Sequence, residues 1–127
     1  MTPLLVALGG GLGAVARYQV AGWVLRHTAP GFPWGTLTVN LSGSFLLGLL
    51  LPAANPLMHP PSPGAALLGV GFLGAFTTFS TFSFDTLSLI RSGKGPRAAL
   101  YVGMSLGLGL VTLALGIGVG SVVLPGP

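Results

Sequence analysis

The sequence predicts an all-α integral membrane protein, four membrane-spanning helices with a break in the third, forming a single domain over residues 1–127. Three observations point there. Hydrophobic residues make up 51% of the chain and charged residues only 5%, at a mean hydropathy of +0.88. A soluble domain of this size needs far more charge to cover its surface. The apolar residues fall into four runs, each long enough for the roughly 20 residues that a span requires. Proline and glycine punctuate the gaps, where they remove a backbone donor or loosen the chain.

The first run covers about residues 2–25. It contains Arg17 and lacks the basic cluster and small-residue cleavage site of a secretory signal, so it reads as a retained span. Arg17 aligns with Gly9 and Gly13, and an arginine at that depth either snorkels to the interface or faces a wet, anion-attracting cavity. The second run, about 35–51, places Thr36, Asn40, Ser44 and Gly48 on one helical face. A membrane-embedded amide is unfavourable without a partner. Asn40 offers two donors suited to an anion, or it hydrogen-bonds a neighbouring helix; the spacing leaves both readings open.

The third run is the longest, about 64–90. From Gly71 to Phe82 it interleaves phenylalanines with hydroxyls at Thr77, Thr78, Ser80 and Thr81, and Ser83 follows. Phe72, Phe76, Phe79 and Phe82 recur at i, i+4, i+7 and i+10, a stripe that periodicity alone assigns to core packing. Their electropositive ring edges could also solvate an anion without trapping it. Irregular backbone at membrane depth is tolerated only inside protein or beside a wet cavity. An unwound turn around residues 74–78 would free carbonyl oxygens for a small cation. In the fourth run, about 98–123, Tyr101 and Ser105 lie one turn apart, with Thr112 beyond. Tyr101, near Arg97, reads as an interfacial anchor. Gly9 and Gly13, Gly103 and Gly107, and Gly116 and Gly120 are each four apart, a spacing that lets helix backbones approach closely.

The three breaks run 26–34, 52–63 and 91–97. Five basic residues against the single acid Asp85 give a net charge of +4, with no dense basic patch for nucleic acid. Without cysteine there is neither a disulfide nor a thiolate metal site. His27 and His59 stand alone in connecting segments. No nucleophile–base pair or metal-ligand cluster is present, which argues against an enzyme. With four spans, the first and third breaks share one side of the membrane and carry Arg26, Arg91, Lys94 and Arg97. The excess of positive charge assigns that side to the cytoplasm.

Three motifs then carry a resemblance. They are Gly9-Gly10-Gly11-Leu12-Gly13-Ala14 leading to Arg17-Tyr18; Pro33-Trp34-Gly35-Thr36-Leu37-Thr38-Val39-Asn40 with Gly43; and the Gly71–Phe82 segment. In register across nearly the whole chain, they make it similar to the small dual-topology fluoride channels (Fluc, also called CrcB). The resemblance implies an antiparallel homodimer in the cell (inner) membrane, with two pathways that passively export fluoride from the cytoplasm. It implies that Asn40 is the pore amide and that Phe79 and Phe82 are ring-edge ligands. Tyr101 and Ser105 would line the same path, and Arg17 would attract anions at a vestibule. It also implies a structural sodium ion at the dimer centre, held by backbone carbonyls of Gly74 and Thr77 from both subunits.

The chain departs from the family pattern in two respects. Asp85 stands where the family often carries Glu, and the Lys/Arg count of its loops, zero against four, sits against insertion in both orientations. Two rival readings are a small proton-coupled multidrug exporter, which needs a central membrane carboxylate, and a non-transporting assembly subunit held by glycine packing. The motif match favours the channel.

Overall fold

The computed structural model describes residues 1–54 and 62–124. His59 and most of the second break lie outside the described residues. Four helical spans are long and apolar enough to cross a membrane. Helix α1 runs Thr2–His27, α2 Trp34–Ala54, and α5 Gly95–Val123. The third span is divided. Its first half, α3, is wound as a wide π-helix over Ala65–Leu73 and closes with the α turn Gly74–Phe76; its second half, α4, runs Phe79–Arg91.

Two helices, α2 and α5, outrun their expected boundaries at a proline, for physical reasons. Pro3 and Pro96 sit in the first turns of α1 and α5, where a missing N–H removes nothing and the fixed φ suits the helix. Pro52 lies inside the last turns of α2 rather than ending it, since only one intrahelical bond is forfeited there. The expected 91–97 break therefore shrinks to a tight turn. Gly93 takes φ +73, its N–H bonds the Ile90 carbonyl at 3.1 Å, and the Lys94 N–H bonds the Leu89 carbonyl at 2.9 Å. This is a Schellman closure, which needs a left-handed residue that glycine supplies without strain.

The π winding of α3 was not expected. Glycines at 69 and 71 leave it little side-chain restraint, and α1 presses directly on its backbone. A Cβ added to Gly9 or Gly13 would collide with the carbonyls of Leu67 or Phe72. Gly48 of α2 faces Gly116 of α5 at the same closeness, and a Cβ on Gly116 or Gly120 would meet the carbonyls of Phe45 or Leu49. The packing of α2 on α5 and of α1 on α3 is the most extensive in the fold. Close glycine contacts of this kind replace the hydrophobic effect, which does not drive helices together in lipid. The third glycine pair behaves differently, because Gly103 and Gly107 face open space.

The side-chain core gathers at the loop end of the bundle, where Leu37, Leu89, Ala98 and Tyr101 are buried against Phe32, Trp34 and Phe82. Elsewhere large apolar side chains such as Leu12, Leu110 and Val122 are exposed, as suits surfaces that meet acyl chains.

Candidate functional site

The break in the third span is two residues wide. Thr77 (ψ 157) and Thr78 (φ −148, ψ 121) are extended, while Gly74 to Phe76, expected to unwind with them, stay helical because the Thr77 N–H still reaches the Leu73 carbonyl at 3.1 Å. In a continuous α-helix the Thr78 N–H would bond the Gly74 carbonyl. Here it bonds Asn40 Oδ1 at 2.8 Å, and Asn40 Nδ2 donates to the Thr78 carbonyl at 3.0 Å. One amide side chain on α2 thus satisfies both backbone groups of Thr78, which hydrocarbon would otherwise leave orphaned. Gly43, one turn further along α2, makes the approach possible, since a Cβ there would strike the Thr77 methyl. Thr78 then caps α4, its Oγ1 accepting from the Thr81 N–H at 3.2 Å.

Beside this clasp lies a cavity of about 420 Å³, lined by Asn40, Ser44, Gly74, Thr77, Phe79, Phe82 and Ser105 among others. The Asn40 amide retains one N–H beyond the bond to Thr78. Ser105 Oγ is buried and has no hydrogen-bond partner among the described residues. The rings of Phe79 and Phe82 stand 5.8 Å apart and tilted by 42°. The cavity is therefore lined by an amide, a hydroxyl and aromatic rings, with no formal charge among its lining residues.

Six of the eight residues singled out from the sequence meet in this one cavity; Tyr101 and Arg17 do not. Tyr101 is not an exposed interfacial anchor: it is 0% exposed, with its ring 5.3 Å from that of Phe82 and edge-on to Phe32. Its hydroxyl lies 3.4 Å from Asp85 Oδ2, a long contact, whereas Thr36 Oγ1 donates to the same oxygen at 2.7 Å. Arg17 lines a second cavity of about 1040 Å³ with Tyr18, Arg26, Thr36, Thr78 and Thr81. Thr78 borders both spaces. Nor do the four phenylalanines form one stripe. The break divides them into a stacked Phe72–Phe76 pair, with Phe76 buried, and the Phe79–Phe82 pair, in which Phe79 is 79% exposed.

Sequence reasoning missed Thr78 as the partner of Asn40 and the Thr36–Asp85 hydrogen bond. Both join polar residues 38 or 49 positions apart, beyond the reach of helical periodicity. The available signal was depth, because each pair unites the few polar groups at matching levels of two spans.

The break also bears on cation binding. Asn40 takes the N–H that would have covered the Gly74 carbonyl, and the Thr77 carbonyl belongs to an extended residue outside any helix. Freed carbonyls are hard oxygen donors of the kind that hold monovalent cations at helix breaks. Two from one chain are too few by themselves to replace a hydration shell. Among the described residues no group of three His, Cys, Asp or Glu could hold a metal ion.

Comparison with known proteins covers nearly the whole chain. The family model described as "CrcB-like protein, Camphor Resistance (CrcB)" matches residues 4–117. A protein of Acidobacterium capsulatum named "Fluoride-specific ion channel FluC" is 42% identical over 124 residues, covering 98% of this chain and 99% of that protein. Proteins of the same name from Thermus thermophilus and Shewanella oneidensis are 48% identical over 123 residues (95% and 94% covered) and 49% over 105 (83% and 84%). With the match running through all four spans and across the break that Asn40 holds open, the chain belongs to the CrcB family.

Proposed function

We propose that this multi-pass membrane protein is a fluoride channel of the cell membrane that lets fluoride leave the cytoplasm by passive permeation, with Asn40, Phe79, Phe82 and Ser105 forming its dehydrating segment. The observation that carries this reading is the small uncharged cavity in which the spare Asn40 N–H and the unpartnered Ser105 hydroxyl meet two phenylalanine rings. Fluoride is small and strongly hydrated, so entry requires donors that offset lost water. A fixed cation in the narrow part would hold the ion too tightly for turnover. Arg17 and Arg26 stand in the neighbouring cavity instead, where they concentrate anions without binding them in the path. Tyr101, through Phe82 and Asp85, positions the wall of the pathway.

Pairing of two copies is favoured by α4, which leaves Phe79, Ser80, Thr81, Ser83 and Phe84 exposed at membrane depth, an unsuitable face for lipid. A sodium ion shared between two copies would be held by the carbonyls of Gly74 and Thr77, where it would supply a fixed charge that ties the two breaks together. Antiparallel pairing, which the resemblance implies, asks one sequence to insert both ways, and the distribution of its cations weighs against an even split.

The deciding measurement is fluoride efflux from liposomes holding the purified protein, read by a fluoride electrode beside a chloride control. Fast fluoride release with negligible chloride release is the expected result; silence to both ions would return the polar cavity to a packing role.

A further inference from the structure

The only acidic side chain of the sequence, Asp85, belongs to the part of α4 that borders the two cavities. On a helix, residues three, four and seven positions apart share a face, so Asp85 shares one with Phe82, Thr81 and Thr78. Phe82 lines the small cavity, Thr81 the large one, and Thr78 both. Helical side chains also lean back over the turn that precedes them, which directs an unrestrained carboxylate at position 85 toward Thr81 and Phe82. Asp85 itself is among the lining residues of neither cavity. Its partners are hydroxyls. Thr36 Oγ1 donates to Oδ2 at 2.7 Å, whereas the Tyr101 hydroxyl lies 3.4 Å from the same oxygen. Thr36 stands one turn before Asn40 on α2, is buried at 8% exposure, and lines the large cavity together with Arg17 and Arg26.

A negative charge beside a path for anions opposes their passage, and most strongly where the local dielectric is low. We propose that Thr36 is a positioning residue that tethers Asp85 outside the anion path. The inference rests on the channel reading given above and adds to it the reason why a chain with one carboxylate can carry that charge next to the route. The 2.7 Å bond has the length expected of a hydroxyl bound to a carboxylate oxygen. Without it, the remaining Tyr101 contact is too long to hold the group. The carboxylate then follows the lean of α4 toward Thr81 and Phe82, where it cancels part of the attraction that Arg17 and Arg26 exert and repels the ion at the entrance to the small cavity. One hydroxyl on α2 thereby keeps the sign of the potential favourable on both sides of Thr78.

The test removes the donor, the charge, or both. Thr36→Val keeps the shape of the side chain without its hydroxyl and should cut fluoride efflux from liposomes by about tenfold, through the uncompensated charge it releases. Thr36→Ser keeps the donor and should retain most of the efflux. With the charge removed there is nothing to tether, so Thr36→Val combined with Asp85→Asn should conduct like Asp85→Asn alone, a coupling that a merely structural role of Thr36 would not produce. A second readout needs no flux. Asp85 is the only acidic residue, so isotope-labelled aspartate gives one side-chain carboxylate band in the infrared. That band should shift in Thr36→Val and stay in place in Thr36→Ser. Efflux from Thr36→Val at the unsubstituted level, a loss that persists in the Asp85→Asn background, or a band unmoved by Thr36→Val overturns the proposal. Silence of the unsubstituted protein toward fluoride would instead overturn the channel reading, and the infrared band would still decide whether Thr36 holds the carboxylate.

Discussion

Asn40 holds Thr78 on both sides of its residue, accepting the backbone N–H at 2.8 Å and donating to the carbonyl at 3.0 Å. The break in the third span therefore exists without orphaned groups at Thr78, and the residue that makes it tolerable is also the one that presents a spare donor to the cavity beside it. Of the two readings the sequence left open for this asparagine, the hydrogen bond to a neighbouring span is present.

Replacing Asn40 by Ala removes both bonds together. Each buried backbone group left unpaired costs roughly 1–3 kcal/mol, so Asn40→Ala should lower the unfolding midpoint in detergent and reduce fluoride efflux in the same preparation. Efflux and stability both at the unsubstituted level would show that Thr78 finds other partners.

Ser105→Ala separates the two effects. The Ser105 hydroxyl has no partner among the described residues, so its removal orphans nothing and should leave thermal stability unchanged or slightly raised. Fluoride efflux should fall several-fold all the same. Full efflux from Ser105→Ala would remove this hydroxyl from the pathway.

Phe79→Ile and Phe82→Ile keep apolar volume but discard the electropositive ring edge. Throughput should drop in both variants while the size of the purified complex on gel filtration stays the same. Unchanged flux in both would take the rings out of the permeation step.

Packing at the glycines gives a graded series. In Gly13→Ala and Gly116→Ala the new methyl meets the backbone of Phe72 or Phe45, and overpacking of this kind destabilises by about 1–3 kcal/mol. Gly107→Ala enters open space and should be neutral in a single chain. Loss of stability in Gly107→Ala that appears only in the assembled protein would place α5 at an interface between copies.

Sodium is tested by substitution of the medium. If the carbonyls of Gly74 and Thr77 hold a structural ion, reconstitution with a large organic cation in place of sodium should abolish fluoride efflux, and added sodium should restore it. Activity without sodium would argue against the site.

Much of this was legible in the sequence. Four spans and a break in the third follow from hydropathy and from hydroxyls crowded between Thr77 and Ser83. The stripe Thr36, Asn40, Ser44 and Gly48 does share a face, although each member meets a different partner: Asp85, Thr78, the Asn40 carbonyl and α5. Tyr101 as an interfacial anchor and the four phenylalanines as one stripe are the two expectations that the fold does not meet. Periodicity assumes an unbroken helix and an exposed rim, whereas the extended pair Thr77–Thr78 rotates Phe79 away from Phe76, and α4 together with Phe32 buries Tyr101. The π winding of α3 was not legible, because its glycines permit it without specifying it and the close approach of α1 is a contact between distant residues.

The two glycine zippers have a mechanical consequence. The α2–α5 and α1–α3 pairs are each locked at backbone contact, so neither can shear internally without collision. The joint between these two leaves runs where Asn40 meets Thr78 and Gly43 meets Thr77, and the small cavity lies beside it, with Asn40 and Ser105 from one leaf and Gly74 and Thr77 from the other. Both Asn40 bonds to Thr78 and the Thr36 bond to Asp85 cross this joint, so separation of the leaves would act on the hydrogen bonds beside the cavity.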